Sequence, residues 1–298
     1  MCVLFASNRP LERAENIKCV YDAYDGEKQY IRASKPEVDM HSGRYRVLVT
    51  DELMNDSPGK MLFIGHGCGA FKTYGLDMPW TWFHRPDLIT YAIASSETMV
   101  PILAKQLGIS EEQMIPLGFP RMDSYLNSQP ERPADPYWLY APTFRNYWIG
   151  IDWDVIHKHM PEGGRLIVKP HMIQPQWFDR SHWQGIEAAP SSVPSTPYLM
   201  GMDALVTDYS SIIFDAMVLR KPCVLFAKDL ETYQKERGIY YPYPESYSTM
   251  FCEREEDLIP MLQEAEWNDR CEEIRDFFVG SCDGNSVQKT IELIRSML

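Results

Sequence analysis

The run Leu166-Ile167-Val168-Lys169-Pro170-His171 ends an apolar stretch in a cation and an imidazole, with proline fixing the turn between them. Both side chains can donate to phosphate oxygens. Further on, Ala204-Leu205-Val206-Thr207 is followed by Asp208-Tyr209-Ser210-Ser211, then by helical sequence carrying Asp215 one turn in. Free N–H groups at a helix start, joined by two hydroxyls, form an anion site. Capping the helix is the commoner use of serine there. Asp215 suits a sugar or polyol hydroxyl, or a favourable charge beside the helix start. Together these residues fit the diphosphate of an activated nucleotide donor.

A third pattern offers a base. Gly65-His66-Gly67-Cys68-Gly69 follows the apolar stretch 60–64, and its glycines allow positive φ and close approach to a ligand. An imidazole exposed there titrates near neutral pH, as a general base requires. A plain glycine-rich turn with an incidental histidine fits the same pattern. Arg121, in Gly118-Phe119-Pro120-Arg121-Met122-Asp123, and Arg145, after Tyr140-Ala141-Pro142-Thr143-Phe144, either grip phosphate or pair with nearby carboxylates. Thr143 adds a hydroxyl at the same strand end. His41, His84, His157, His159 and His182 lack such settings and read as surface or core residues. His157 and His159 stand two apart, so a helix does not present them together. With no HExxH, carboxylate cluster, P-loop or early GxGxxG, no metal or cofactor is expected.

The elements holding these groups alternate. Strands are expected at 2–6, 46–49, 60–64, 88–92 and 114–117, with a helix over 96–107 capped by Ser95 or Ser96. Residues 127–136, with three prolines among polar residues, read as a linker. Beyond it, strands at 138–141, 165–168, 204–207 and 223–226 alternate with helices at 153–159 and 212–219, and the chain after Arg254 is largely helical with a break near Asp283-Gly284. The expected fold is α/β: two doubly wound Rossmann-like domains, 1–126 and 137–298, facing each other across a cleft. Ligands in such sheets bind at the carboxyl ends of strands, where all three motifs stand.

Bulk properties narrow the classes. The 298 residues, 45% hydrophobic and 24% charged, suffice for two cores. A formal net charge of −13 repels nucleic acid and anionic lipid over the surface as a whole, so an anionic substrate needs a local cluster of donors. No run approaches the roughly 18 apolar residues of a membrane span, and the first residues lack the basic region of a signal peptide. A cytoplasmic protein is expected. The seven cysteines, odd in number and without CxxC pairs, read as free thiols. Met78-Pro79-Trp80-Thr81-Trp82-Phe83 suits a bilayer interface, a core or an oligomer contact alike.

The motifs, in their order along the chain, resemble the CDP-glycerol glycerophosphotransferase family of teichoic-acid primases and polymerases. The resemblance is carried by His66-Gly67 with Gly69-Ala70-Phe71-Lys72, by Gly118–Asp123 and Ala141–Arg145, by Lys169-Pro170-His171, and by Thr207–Ser211 with Phe214-Asp215. It covers about residues 64–240, and the tail 277–286, with Asp283-Gly284-Asn285-Ser286, looks like the family's closing helix. It implies a GT-B fold in which the C-terminal domain holds a CDP-polyol, glycerol or ribitol. His66 would be the base, His171, Ser210 and Ser211 phosphate contacts, and Asp215 a glycerol contact. Lys169, Asp208, Thr143, Arg121 and Arg145 complete the expected donor site, with Gly67 and Gly69 as loop glycines. The implied reaction moves a polyol phosphate to a hydroxyl of a teichoic-acid-like or capsular acceptor, lipid-linked or polysaccharide, at the inner face of the membrane, and releases CMP. A GT-B glycosyltransferase using a nucleotide sugar, or a non-catalytic nucleotide-binding relative, fits the same fold. The Cys68-Gly69-Ala70-Phe71 variant looks more like primase-type or capsule-type members.

Overall fold

The computed structural model describes residues 2–33, 39–65, 69–73, 75–77, 85–128, 135–145, 147, 149–171, 183–190 and 192–298. His66, Gly67, Cys68, His84, His182, residues 78–83 and most of the expected linker lie outside the described residues. The chain divides into two units, Met1–Ser128 with Asp276–Leu298, and Gln129–Arg275.

The first unit is built on β1 (Cys2–Ser7), β2 (Lys28–Arg32), β3 (Tyr45–Thr50), β4 (Lys60–Phe63), β5 (Ile89–Ile93) and β6 (Met114–Ile115). Their order is β2-β1-β3-β4-β5-β6, parallel throughout. The interior strand β1 is buried along its whole length, as a parallel sheet covered on both faces requires. Leu4, Leu48, Met61 and Ala92 pack in one core beneath it. Around the sheet run α1 (Glu15–Ala23), α2 (Val100–Leu107) and α3 (Met122–Asn127).

The second unit repeats the plan with β7 (Trp138–Tyr140), β8 (Leu166–Val168), β9 (Ile186–Ala188), β10 (Ala204–Thr207), β11 (Cys223–Phe226) and β12 (Met250–Cys252). The order is β12-β11-β10-β7-β8-β9, again parallel. Tyr140, Leu166, Val206 and Val224 centre its core. Helices α4 (Trp153–Lys158), α5 (Thr196–Gly201), α6 (Ile212–Val218), α7 (Leu230–Arg237) and α8 (Glu255–Gln263) accompany it. The expected α/β class and GT-B-like pair of parallel sheets are present.

Two expectations need correction. The C-terminal domain was expected to run to residue 298, but the division falls inside α9 (Asp269–Val279), and α10 (Ser286–Met297) belongs to the first unit. Asp123 holds it there, its carboxylate accepting from the amides of Ser286 at 3.0 Å and Val287 at 2.7 Å. Those are orphan N–H groups of a helix start, and a carboxylate satisfies them. Asn127 Nδ2 donates to the Gly284 carbonyl at 2.8 Å. Gly118 sits at φ +76, where a Cβ would come within 2.5 Å of Ser286 Oγ. The Gly118–Asp123 motif and the tail motif are therefore two halves of one docking contact. Second, Ser96 makes no side-chain cap; its hydroxyl donates instead to the Phe277 carbonyl at 2.6 Å. Among the described residues no helix is long and apolar enough to cross a membrane.

Candidate active site

Counted from β7, the second sheet reads 3-2-1-4-5-6, the dinucleotide-binding order, and the strand order reverses between β7 and β10. Ligands of open α/β sheets bind outside the carboxyl ends of strands at such a reversal. The segments that leave β7 and β10 there are 141–145 and 208–211, two of the motifs read from sequence.

Asp208 ties them together. It is fully buried; its Oδ1 accepts from the amides of Thr143 at 2.8 Å and Tyr209 at 2.6 Å, and its Oδ2 from Arg145 Nη1 at 2.6 Å. The other edge of the Arg145 guanidinium is bidentate on Asp229, Nε at 2.6 Å and Nη2 at 2.9 Å. Asp229 accepts also from the hydroxyls of Tyr147 at 2.7 Å and Tyr209 at 3.0 Å. Tyr209 and Tyr233 stack at 3.9 Å, and the guanidinium lies 5.2 and 5.6 Å from their centroids, within cation–π range. Burial opposes the charge on Arg145, but Asp208 and Asp229 outweigh it and hold its pKa above the ordinary value. Burial likewise pushes Asp229 upward, yet the bonds from Arg145, Tyr147 and Tyr209 leave it below the usual carboxylate range. Burial, then Asp229, pushes Tyr147 up to about 12.

This geometry gives Arg145 and Asp208 a structural part. The Arg145 side chain is 1% exposed and that of Asp208 0%. Both are internal struts that set the 141–145 and 208–211 segments. Asp229, Tyr147 and Tyr233 were not singled out from sequence. The one available signal was Lys228-Asp229 at the end of the β11 run.

The other expected residues of this unit differ in their surroundings. Thr143 is clamped through its backbone, N–H to Asp208 and carbonyl from Arg145 Nη1 at 3.0 Å, while its buried Oγ1 has no hydrogen-bond partner among the described residues. Such a hydroxyl costs about 1–3 kcal/mol unless something completes it. Lys169 directly follows β8, its amide donating to the Tyr140 carbonyl at 2.8 Å. Burial lowers its pKa. His171 is exposed and lies 5.8 Å, ring to ring, from the exposed Phe144. Ser211 makes no side-chain cap to α6, and Ser210 Oγ reaches the Ile212 amide only at 3.5 Å, too long for a good bond. Capping therefore does not account for the serine pair. Asp215 is buried within α6 at 3% exposure.

In the first unit Gly65 and Gly69 take positive φ, +57 and +66, as the loop reading expects; His66 and Gly67 between them lie outside the described residues. Arg121 pairs with Glu15 at 3.6 Å and its side chain is 14% exposed.

Thr143→Val tests the unpartnered hydroxyl. It keeps the shape and removes the buried polar atom, so the ligand-free protein should melt at a higher temperature. CDP should bind about 10- to 100-fold more weakly, the worth of a hydrogen bond to a charged group. Unchanged CDP affinity by calorimetry would remove Thr143 from the site.

Two parallel α/β units, one of them with its strands in dinucleotide-binding order, define a GT-B-like fold. The chain belongs to the CDP-glycerol:poly(glycerophosphate) glycerophosphotransferase family, whose model matches residues 4–296. It is 27% identical over 274 residues to the teichoic acid glycerol-phosphate primase of Bacillus subtilis strain 168, covering 84% of this chain and 72% of that one. It is also 27% identical over 271 residues to the teichoic acid ribitol-phosphate primase of Bacillus spizizenii, covering 78% and 68%. The solved wall teichoic acid polymerase TagF superposes with a TM-score of 0.81 at 18% identity, over 99% of this chain and 88% of that one, a likeness of fold. The chain is thus a CDP-polyol phosphotransferase, with glycerol and ribitol both represented among its relatives.

Proposed function

We propose that this enzyme transfers glycerol phosphate from CDP-glycerol to a hydroxyl of a teichoic-acid-like acceptor. The acceptor oxygen attacks the β-phosphorus, the bridging P–O bond breaks, and CMP leaves. The acceptor's proton passes to His66, acting as general base from the first unit. The second unit holds the donor. Lys169 and His171 donate to the diphosphate, with Thr143, Ser210 and Ser211 supplying hydroxyls. Asp215 is assigned to the polyol side, and Arg121 to a supporting cation from the first unit. Charge developing on the transferred phosphoryl group is met by fixed donors, so the scheme calls on no cofactor. The observation that carries the reading is the meeting of the Thr143 and Ser210-Ser211 segments at the strand reversal of the second sheet.

The acceptor, lipid-linked or polysaccharide, and action in the cytoplasm at the membrane's inner face belong to the same proposal. Equal identity to a glycerol-phosphate and a ribitol-phosphate primase makes ribitol phosphate the second reading. Incubation with CDP-glycerol, CDP-ribitol and UDP-sugars separates the possibilities. CMP release, highest with CDP-glycerol, is the expected result. Release of a nucleoside diphosphate would instead mark glycosyl transfer, and turnover confined to CDP-ribitol would change the polyol.

A further inference from the structure

Asn16 is 2% exposed, in the first turn of α1, where asparagine is a poorer helix former than the residues a surface helix usually carries. Its neighbours Ile17 and Val20 are buried and apolar. A polar amide among them costs free energy unless both its ends are satisfied. Both are. Asn16 Nδ2 donates to the Gly65 carbonyl at 3.0 Å, and Asn16 Oδ1 accepts from the Arg121 amide at 3.0 Å. A backbone carbonyl only accepts and a backbone N–H only donates, so the two partners fix which way the amide faces.

The residues it joins are 49 and 105 positions away. Gly65 leaves the end of β4 at φ +57, and Arg121 is the N-cap of α3. The carbonyl of Gly65 and the nitrogen of residue 66 share one planar peptide unit. A bond to that carbonyl therefore holds the plane through which the chain leads into His66.

We propose that Asn16 is a positioning residue for the catalytic base: it fixes the Gly65 peptide and ties it to the turn that starts α3. This rests on the reading of His66 as the base. Misplacing a reacting group by about 1 Å costs on the order of 100-fold in rate, whereas the proposed donor contacts of Lys169, His171, Thr143, Ser210 and Ser211 do not depend on the bond to Gly65.

The test uses the full chain with Asn16→Asp, Asn16→Leu and, in parallel, His66→Ala, reading CMP release from CDP-glycerol and CDP affinity. Asn16→Asp has the same shape and still accepts from the Arg121 amide, but turns an anionic oxygen toward the Gly65 carbonyl. Its kcat should fall about 10- to 100-fold, with the KM for donor and the CDP affinity within about 2-fold. The acid limb of its kcat–pH profile should also move to higher pH, because a carboxylate next to the loop favours a protonated imidazole. That limb is read from the shape of the profile and does not depend on how much folded protein a variant yields. Asn16→Leu, which loses both bonds, should lose at least as much kcat with the acid limb in place. If His66→Ala is inactive while Asn16→Asp keeps its kcat and its acid limb, the positioning role is wrong and the base stands. If His66→Ala turns over near the wild-type rate, the base assignment itself fails, and this inference with it.

Discussion

Arg145→Met is expected to cost the second unit about 3–5 kcal/mol of stability and to abolish donor binding with it. The guanidinium is the one cation bonded to both Asp208 and Asp229 among the described residues, and its side chain is 1% exposed. Methionine fills much of the volume but leaves two carboxylates without their counter-charge, and removing one partner of a buried ion pair is the costly way to disrupt it. A loss of that size is a large share of a domain's usual 5–15 kcal/mol or so. Function follows because Asp208 carries the Thr143 and Tyr209 amides; once it shifts, the segments at the strand reversal are no longer set. The pH dependence has a definite sign. Asp229 has a depressed folded-state pKa, so its contribution is fully present above the ordinary carboxylate value and is lost as pH falls through the depressed one. In Arg145→Met the stranded carboxylates instead gain by protonation. The gap between wild type and variant should therefore be widest at neutral pH and narrow on acidification. Denaturant unfolding at both pH values measures it. A neutral-pH loss within the 0–1 kcal/mol or so typical of exposed pairs would show that the network does not hold the unit together. Adding Asp229→Asn to Arg145→Met should recover part of the loss.

Where sequence and structure part company, the reasons are specific. Every interior strand of both sheets was visible as a short apolar run, because a parallel sheet buries such strands on both faces. The three strands that were missed, β2, β9 and β12, all lie at sheet edges. Lys28-Gln29-Tyr30-Ile31-Arg32 has a single buried residue and Ile186-Glu187-Ala188 likewise one. An edge strand packs on one side only and is kept polar or short, which leaves little periodicity to read. The strand-end motifs could be found because glycine, proline, serine and histidine clusters after apolar runs have few local explanations. What each residue does in them was harder to read. From sequence Arg145 reads equally as gripping phosphate or pairing with a carboxylate, and one carboxylate that it meets, Asp229, lies 84 positions away. Asn16 gives no local signal at all, since its two partners lie in separate segments, one after β4 and one after β6. The tail was assigned to the nearer domain by chain order, whereas the carboxylate that receives it is Asp123, 163 positions earlier.

His66→Ala should lower the rate of CMP release by about 100- to 10,000-fold, the usual worth of a positioned general base, while CDP binds as it does to wild type. The separation follows from where the groups stand. Lys169, His171, Thr143, Ser210 and Ser211 all belong to the Gln129–Arg275 unit, and His66 belongs to the other. Losing the His66 imidazole leaves every proposed donor contact in place. His171→Ala should behave differently. His171 is exposed beside Phe144 at the end of the β8 motif, and its proposed hydrogen bond to phosphate would help in both the bound and the reacting state. Its loss should weaken CDP binding as well as slow transfer, by about 100- to 1,000-fold for a donor that meets developing charge. The pair is therefore read as a ratio of CDP affinity to kcat. If both variants lose CDP affinity equally, His66 is acting as a donor ligand. If His66→Ala retains near-normal turnover, a different group takes the acceptor's proton. The expected pattern, full CDP affinity with little transfer for one histidine and joint loss for the other, would divide the chemistry between the two units as their sequence motifs suggest.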